Sequence, residues 1–468
     1  MPEPGSRGLR GVPDQLCEAA PVRLTGLDTA FLCLDRDVSP MHLGALATFR
    51  PADLSDPGRV AALLAERAQR LPQLRRRVEP SWFPLAAATW AEEPGFCAKD
   101  HIQVHHLDRH PGLDGAAGLA AELMVHPLIR SRPLWEFHVI AATGWDRFAV
   151  LFKMHHAFGD GLNALEIGLR VLDEFPMRAA NTCSDDQLDD GALPAPEPDV
   201  LSRLWQAPGD VRDVVEQLTD VAGIAASVLR RARLPAPGSP LLISSSGQRA
   251  LAVASLDLEQ VRRIGRVFGG TVNDVLLAVV TGALRDWLVA RGDPVDGLVL
   301  RAFIPVSQRA RVGRHTGGNR LSGYLCDLPV GEPGAGERLL TVRRAMARNR
   351  AAGTSRGPGA IPLLADLLPA AVHRVAAPVA GQGASLLFDL MVTSIPVPSV
   401  RFTLDGAELA EVFPMAPLAA GQALVIGLSW YRRRTYVALH ADRDGLPDVQ
   451  RLAEAIEPAA GELASLIE

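Results

Sequence analysis

Between Met177 and Gln248 the sequence loses the pattern of a packed core. The stretch RAANTCSDDQLDDGALPAPEPD, residues 178–199, is acidic, polar and rich in proline. Such a segment buries little apolar surface and reads as a linker. An isolated helix is expected from Val200 to Arg233 within it, and LPAPGSPLLISSSG closes the interruption. A chain of 468 residues is thereby cut into two lobes of ordinary domain size. The expected division is a flexible leader over 1–20, a first lobe over 21–177, a linker over 178–247 and a second lobe over 248–468. Each half mixes strand and helix patterns, so the fold class is α/β or α+β.

Hydrophobic periodicity places the elements. In the first lobe it predicts a short helix starting at Thr25 or Asp28, a strand HLGALATF and a helix from Val60 to Arg70. Strands are predicted at Leu74 to Val78 and Phe83 to Trp90, and a helix from Gly115 to Met124. Two apolar strands, Pro133 to Ala142 and Asp146 to His156, follow around a Thr-Gly-Trp turn, then a helix from Leu162 to Glu174. The second lobe opens with a strand from Ala250 to Leu256. A helix capped by Thr271 or Asn273 carries the run DVLLAVVTGALRDWL. Strands at Val299 to Ser307 and Arg320 to Val330, a helix from Glu337 to Arg350 and a terminal helix from Asp448 complete it.

Composition excludes several partners. The net charge is -5 and aromatics are only 5% of residues, which argues against a nucleic-acid surface. Cys17, Cys33, Cys97, Cys183 and Cys326 are scattered, with no Cys-x-x-Cys pair, so neither a disulfide framework nor a zinc knuckle is expected. The N-terminus lacks the apolar core of a signal peptide, and no stretch reaches the length that spans a bilayer. A cytoplasmic protein is expected, resting at most on a membrane surface or lipid body, with Leu363 to Ala380 as the contact element. Arginine outnumbers lysine so heavily, Lys99 and Lys153 being the only lysines, that single arginines are weak pointers.

The chemistry concentrates in HHAFGDG, residues 155–161. An apolar strand delivers His155 and His156 to a turn. Side chains alternate along a strand, so one can face a cleft while the other packs behind. Asp160 and Gly161 make a tight turn into a helix. A histidine there can take a proton near neutral pH. By contrast, His101, His105, His106 and His110 lie on a strand pattern that splits them between faces, and no metal site is expected.

HHxxxDG marks the superfamily of chloramphenicol acetyltransferase, plant acyltransferases and peptide-synthetase condensation domains. The context SRPLWEFHVI and FKMHHAFGDG resembles the bacterial wax ester synthase/diacylglycerol acyltransferase family. The likeness continues at SPMHLGAL, TVNDVLLAVVTGALR, IPVSQR, GGNRLSGYLCDLPV and ADRDGLPD, covering nearly the whole chain in order. It implies two chloramphenicol-acetyltransferase-like lobes with an active-site tunnel at their interface. It implies that His156 is the general base, Asp160 a structural carboxylate, and Pro133, Leu134, Trp135 and Glu136 a motif lining the active-site region. Asn273 and Asp274 match a paired motif of the second lobe, and Arg309 and Asn319 match further positions. No bound cofactor is implied; acyl-CoA is the co-substrate and a fatty alcohol or diacylglycerol the acceptor. The chain departs from the family at TSIPVP, where Ser394 and Val397 replace Asn and Gly, at Leu242 in place of Asn, and at Ala164 in place of Gly. The TSIPVP departure motivates one alternative, an acyltransferase acting on a specialised metabolite; a relative using carrier-protein thioesters and a non-catalytic lipid-binding protein are the others, and the intact HHAFGDG and PLWE argue against the last.

Overall fold

A computed structural model describes residues 22–51, 56–81, 88–108, 112–173, 238–307, 319, 321–353, 373–374 and 384–468. The leader, the helix expected at Val200 to Arg233, Arg309 and all of Leu363 to Ala380 except His373 and Arg374 lie outside the described residues.

The first half of the chain contributes β1 (Val22–Arg23), α1 (Gly26–Leu34), β2 (His42–Arg50), α2 (Pro57–Gln69), β3 (Arg76–Glu79), β4 (Thr89–Glu92), β5 (Ile102–Leu107), α3 (Leu113–Val125), β6 (Trp135–Ala142), β7 (Phe148–His155) and α4 (Gly161–Arg170). The second contributes β8 (Arg249–Asp257), α5 (Leu258–Phe268), α6 (Val272–Arg291), β9 (Leu300–Ser307), β10 (Leu321–Leu328), α7 (Ala335–Ala352), β11 (Leu390–Pro396), β12 (Thr403–Leu404), β13 (Ala407–Met415), β14 (Leu424–Tyr431), β15 (Arg434–Asp442), α8 (Val449–Glu454) and α9 (Ile456–Ser465). The strand expected at Leu74 to Val78 is displaced. Pro72 fixes a 3-10 turn through Arg75, and pairing begins at Arg76.

Local chemistry explains the helix starts. Thr25 and Asp28 form a capping box on α1, and Thr271 and Asp274 form another on α6. Asp56 caps α2 ahead of Pro57, and Asp160 caps α4. Asn273, a candidate cap by sequence, is the second residue of the helix; the Thr271 hydroxyl takes the capping role because it reaches the Asp274 N–H.

The strands assemble into two six-stranded mixed sheets and a small three-stranded one, β1–β4–β3. Sheet one runs β12–β13–β2–β7–β6–β5, and sheet two runs β10–β9–β11–β14–β15–β8. Sheet one is antiparallel except for β5 beside β6. Its far edge comes from the second half of the chain: β13 pairs with β2 from Glu408 opposite Arg50 to Met415 opposite Gly44. Chain order and sheet membership therefore part at residue 403. The two sheets touch where β13 meets β14. A Cβ on Gly427 would lie 2.0 Å from the Pro414 carbonyl oxygen, so only glycine permits the approach. Helix α6 is buried nearly all round and forms the centre of the second lobe, flanked by α5, α7 and α9. Helix α3 covers one face of sheet one, and α4 reaches from β2 to β11 across the lobe boundary.

Candidate active site

Strand β7 separates two environments. Val150 and Phe152 point to a cavity, while Lys153 and His155 point to the opposite face. Phe137 of β6 and Leu43 and Ala45 of β2 share the cavity side. The cavity measures about 1030 Å³ and takes walls from both lobes, including Phe31, Gly161, Phe303, Met391 and Ile395. His156 reaches it from the 3-10 turn His156–Phe158 at the end of β7.

Three contacts hold His156. Its N–H donates to the Met41 carbonyl at 2.7 Å. Its ring stacks on Phe31 of α1 with centroids 3.9 Å apart. Its carbonyl accepts from Asn319 Nδ2 at 2.6 Å. The same Asn319 amide donates to Asp28 Oδ1 at 2.7 Å, and the Asn319 N–H donates to that oxygen at 3.0 Å. Burial raises Asp28 to about 6 in spite of these bonds. Burial also pushes the His156 imidazolium down to about 4, against the pull of its own carbonyl and Asp160, so the ring is neutral at pH 7. The His156 Nδ1 and Asn319 Oδ1 are both enclosed and make no regular hydrogen bond.

His155 is buried behind the site. Its Nδ1 accepts from the Ala157 N–H at 3.0 Å, which turns Nε2 toward Asp35 Oδ2, 3.5 Å away. Burial alone would raise Asp35. Its contacts with His155, the Met41 N–H and Arg130 bring it well below the usual carboxylate range. Asp160 is buried and accepts the Asn163 N–H at 2.9 Å, which fixes the turn rather than meeting the cavity. Gly161 lines the cavity, and a Cβ there would meet Ile395 Cδ1 at 3.1 Å.

Pro133, Leu134, Trp135 and Glu136 do not line the cavity, contrary to the expectation from the motif. Glu136 lies opposite Lys153 on the face away from the cavity, whereas Trp135 shares the face of Phe137 and is kept out of the cavity wall by its packing on Phe96, His101 and Phe137. The Leu134 carbonyl receives the His155 N–H at 3.0 Å. Trp135 is fully buried and donates from Nε1 to the Leu74 carbonyl. Glu136 lies 3.3 Å from both Lys153 Nζ and His138 Nε2, and these partners draw it down to about 2 against the effect of burial. Lys153 is wholly buried, and its ammonium donates to the His126 carbonyl at 2.6 Å. With His42, whose Nδ1 meets the Met124 carbonyl at 2.8 Å, these residues form a polar row on the sheet face away from the cavity.

Asn273 and Asp274 sit at the start of α6. Ser394 Oγ donates to Asn273 Oδ1 at 2.7 Å, tying β11 to that helix. Asp274 pairs with Arg350 at 3.2 Å. The replacement of glycine by Val397 costs no left-handed backbone, since Val397 has no positive φ and is buried with its N–H on the Trp430 carbonyl. Among the described residues no cluster of His, Cys, Asp and Glu could hold a metal ion. His105 instead meets His138 at 3.1 Å. Phe31 and Asp35 carry no signal in the sequence, and Asp28 shows there only as a candidate helix start.

Solved acyltransferase folds match this arrangement. The wax ester synthase/diacylglycerol acyltransferase from Marinobacter aquaeolei VT8 superposes with a TM-score of 0.68 at 24% identity, covering 94% of this chain and 98% of that one. The starter condensation domain of rhizomide synthetase superposes at 0.56 and 16% identity, covering 94% and 95%. The chain matches the wax ester synthase/diacylglycerol acyltransferase catalytic domain over residues 24–276 and the C-terminal domain over 317–464. It belongs to that family and is an acyltransferase. A Mycobacterium tuberculosis H37Rv protein named as a diacylglycerol O-acyltransferase, tgs1, is 28% identical over 458 residues, covering 95% of this chain and 96% of its own.

Proposed function

We propose that the chain transfers a long-chain acyl group from acyl-CoA to the hydroxyl of a fatty alcohol or diacylglycerol. The observation that carries this reading is His156, neutral and clamped, at the wall of a 1030 Å³ cavity built almost wholly of apolar side chains. The relatives named as diacylglycerol O-acyltransferases support the acceptor, and the rhizomide condensation domain, solved with C8-CoA, supports a CoA thioester as donor.

His156 Nδ1 is enclosed beside its own carbonyl and Asn319, which leaves Nε2 for the cavity. Nε2 takes the acceptor proton as the hydroxyl oxygen attacks the thioester carbonyl. A carbon–oxygen bond forms, the carbon–sulfur bond breaks, and the departing CoA thiolate takes the proton back. A thioester is already activated, so positioning and one base suffice and no enzyme-bound acyl group is needed. Asp160 shapes the turn, and His155, through Asp35, fixes the strand end.

Purified protein given palmitoyl-CoA and a panel of acceptors is expected to release CoA and give ester products identifiable by mass. His156→Ala is expected to lower that rate by about 10²–10⁴-fold. A His156→Ala protein with the wild-type rate sinks the assignment. Among the described residues no single helix is long and apolar enough to cross a membrane. With products this greasy, we place the enzyme at a membrane or lipid-body surface, a placement that liposome flotation tests.

A further inference from the structure

We infer that the arm of the cavity running along α4 holds the alkyl chain of one substrate, and that Gly168 sets the chain length that fits. The inference rests on the acyl-transfer reading above and assigns length selection to one position. Helix α4 turns Gly161, Ala164, Leu165, Gly168 and Leu169 to the cavity, the three-and-four spacing of a single helical face. Phe137, Val150 and Phe152 of sheet one line the same cavity, so an alkyl chain lying along α4 meets carbon rather than polar atoms. This stripe starts five residues after His156. At 1.5 Å per residue, Gly168 lies about 10 Å beyond Gly161, a span of roughly eight methylenes of an extended chain. Val171 and Leu172 continue the wall past it.

Gly168 has no other structural reason to be glycine. It lies inside a helix, where glycine is the least favourable residue after proline. Its φ is not positive. A Cβ built on it meets nothing within 4 Å, whereas one on Gly161 meets Ile395. No neighbour demands the missing side chain; the cavity alone gains the space.

The test compares wild type, Gly168→Ala and Gly168→Leu on saturated acyl-CoAs from butyryl to stearoyl, and separately on primary alcohols of the same range. In the wild type, kcat/KM is expected to rise about fourfold per methylene until the arm is filled. In Gly168→Leu the optimum should move down by about four methylenes, the carbon count of the added side chain, with a roughly 250-fold loss on the longest chains and little change on butyryl. Gly168→Ala should move it by about one methylene and melt at or above the wild-type Tm. It carries the test if the leucine variant does not fold. A shift in the acyl series assigns the arm to the donor, and one in the alcohol series assigns it to the acceptor; either supports the inference. An optimum unmoved in both series, in folded protein, overturns it. Calorimetric binding of the same chains, read without turnover, separates the two failures. Wild type that binds long chains and transfers none refutes the acyl-transfer reading, while the binding optimum of the Gly168 variants still decides the inference.

Discussion

The ring of His156 is held more by its neighbours than by its own strand. Phe31 covers one face, Met41 takes the backbone N–H, and Asn319 grips the carbonyl. Asn319 is itself fixed by Asp28, 291 positions away in sequence. Asn319→Ala removes both side-chain bonds from a buried site, and kcat is expected to fall about 10–100-fold, the size of a lost positioning contact. KM for acyl-CoA should stay within about twofold, since the cavity walls are untouched. Steady-state kinetics at saturating acceptor checks this; a KM effect with unchanged kcat would assign Asn319 to substrate binding instead. No periodicity in the sequence announces this link. In the sequence Asp28 is only one of two candidate helix starts; in the fold it closes the capping box of α1, and its bonds to Asn319 span the two lobes.

Among the elements, β7 shows most clearly what a sequence discloses. Its apolar run and the turn signal after it are plain, and alternation correctly separates His155 from His156. Alternation also puts Lys153 beside His155, but the buried ion pair with Glu136 depends on the register of β6, which no local pattern states. The same register puts Glu136 behind the site, while Trp135, on the face of Phe137, is taken up by its packing on Phe96 and His101. Breaking this pair is expected to be expensive. Lys153→Ala leaves the Glu136 carboxylate half-buried with one partner fewer, and unfolding free energy in urea should drop by about 3–5 kcal/mol. A Lys153→Met and Glu136→Gln double variant should recover most of that loss, because it removes both charges together. If single and double variants lose equally, the lysine matters for shape and not for charge.

At the scale of the whole molecule, buried histidines make the fold acid-sensitive. Burial lowers His42 to about 3, helped by the Lys153 charge, and lowers His156 and His440 to about 4. The unfolded chain binds protons on these groups below about pH 6.5 while the folded one does not. Their contribution is therefore complete above that pH and is lost as pH falls toward 4 and 3, at about 1.4 kcal/mol per pKa unit. Asp28, raised to about 6, works the other way below pH 6, but with one smaller shift against three. Urea midpoints at stepped pH are expected to decline from pH 7 to pH 4, and flat midpoints would contradict the burial of these rings. The two-lobe plan was legible through the family resemblance of the motifs, but the topology that joins the lobes was not. Strands β12 and β13 alternate like their neighbours, and nothing local tells them to leave the sheet of their own half. That departure sets a schedule for synthesis. The β2 edge leaves the ribosome with its partner, Ala407–Met415, still some 350 codons from translation, an interval of roughly twenty seconds to a minute at ordinary elongation rates. For that time one edge of an apolar strand stands unpaired, even once β7 has covered the other, and is open to any other chain, so chaperone supply and elongation rate, more than the final stability, should govern how much of this enzyme a cell recovers intact.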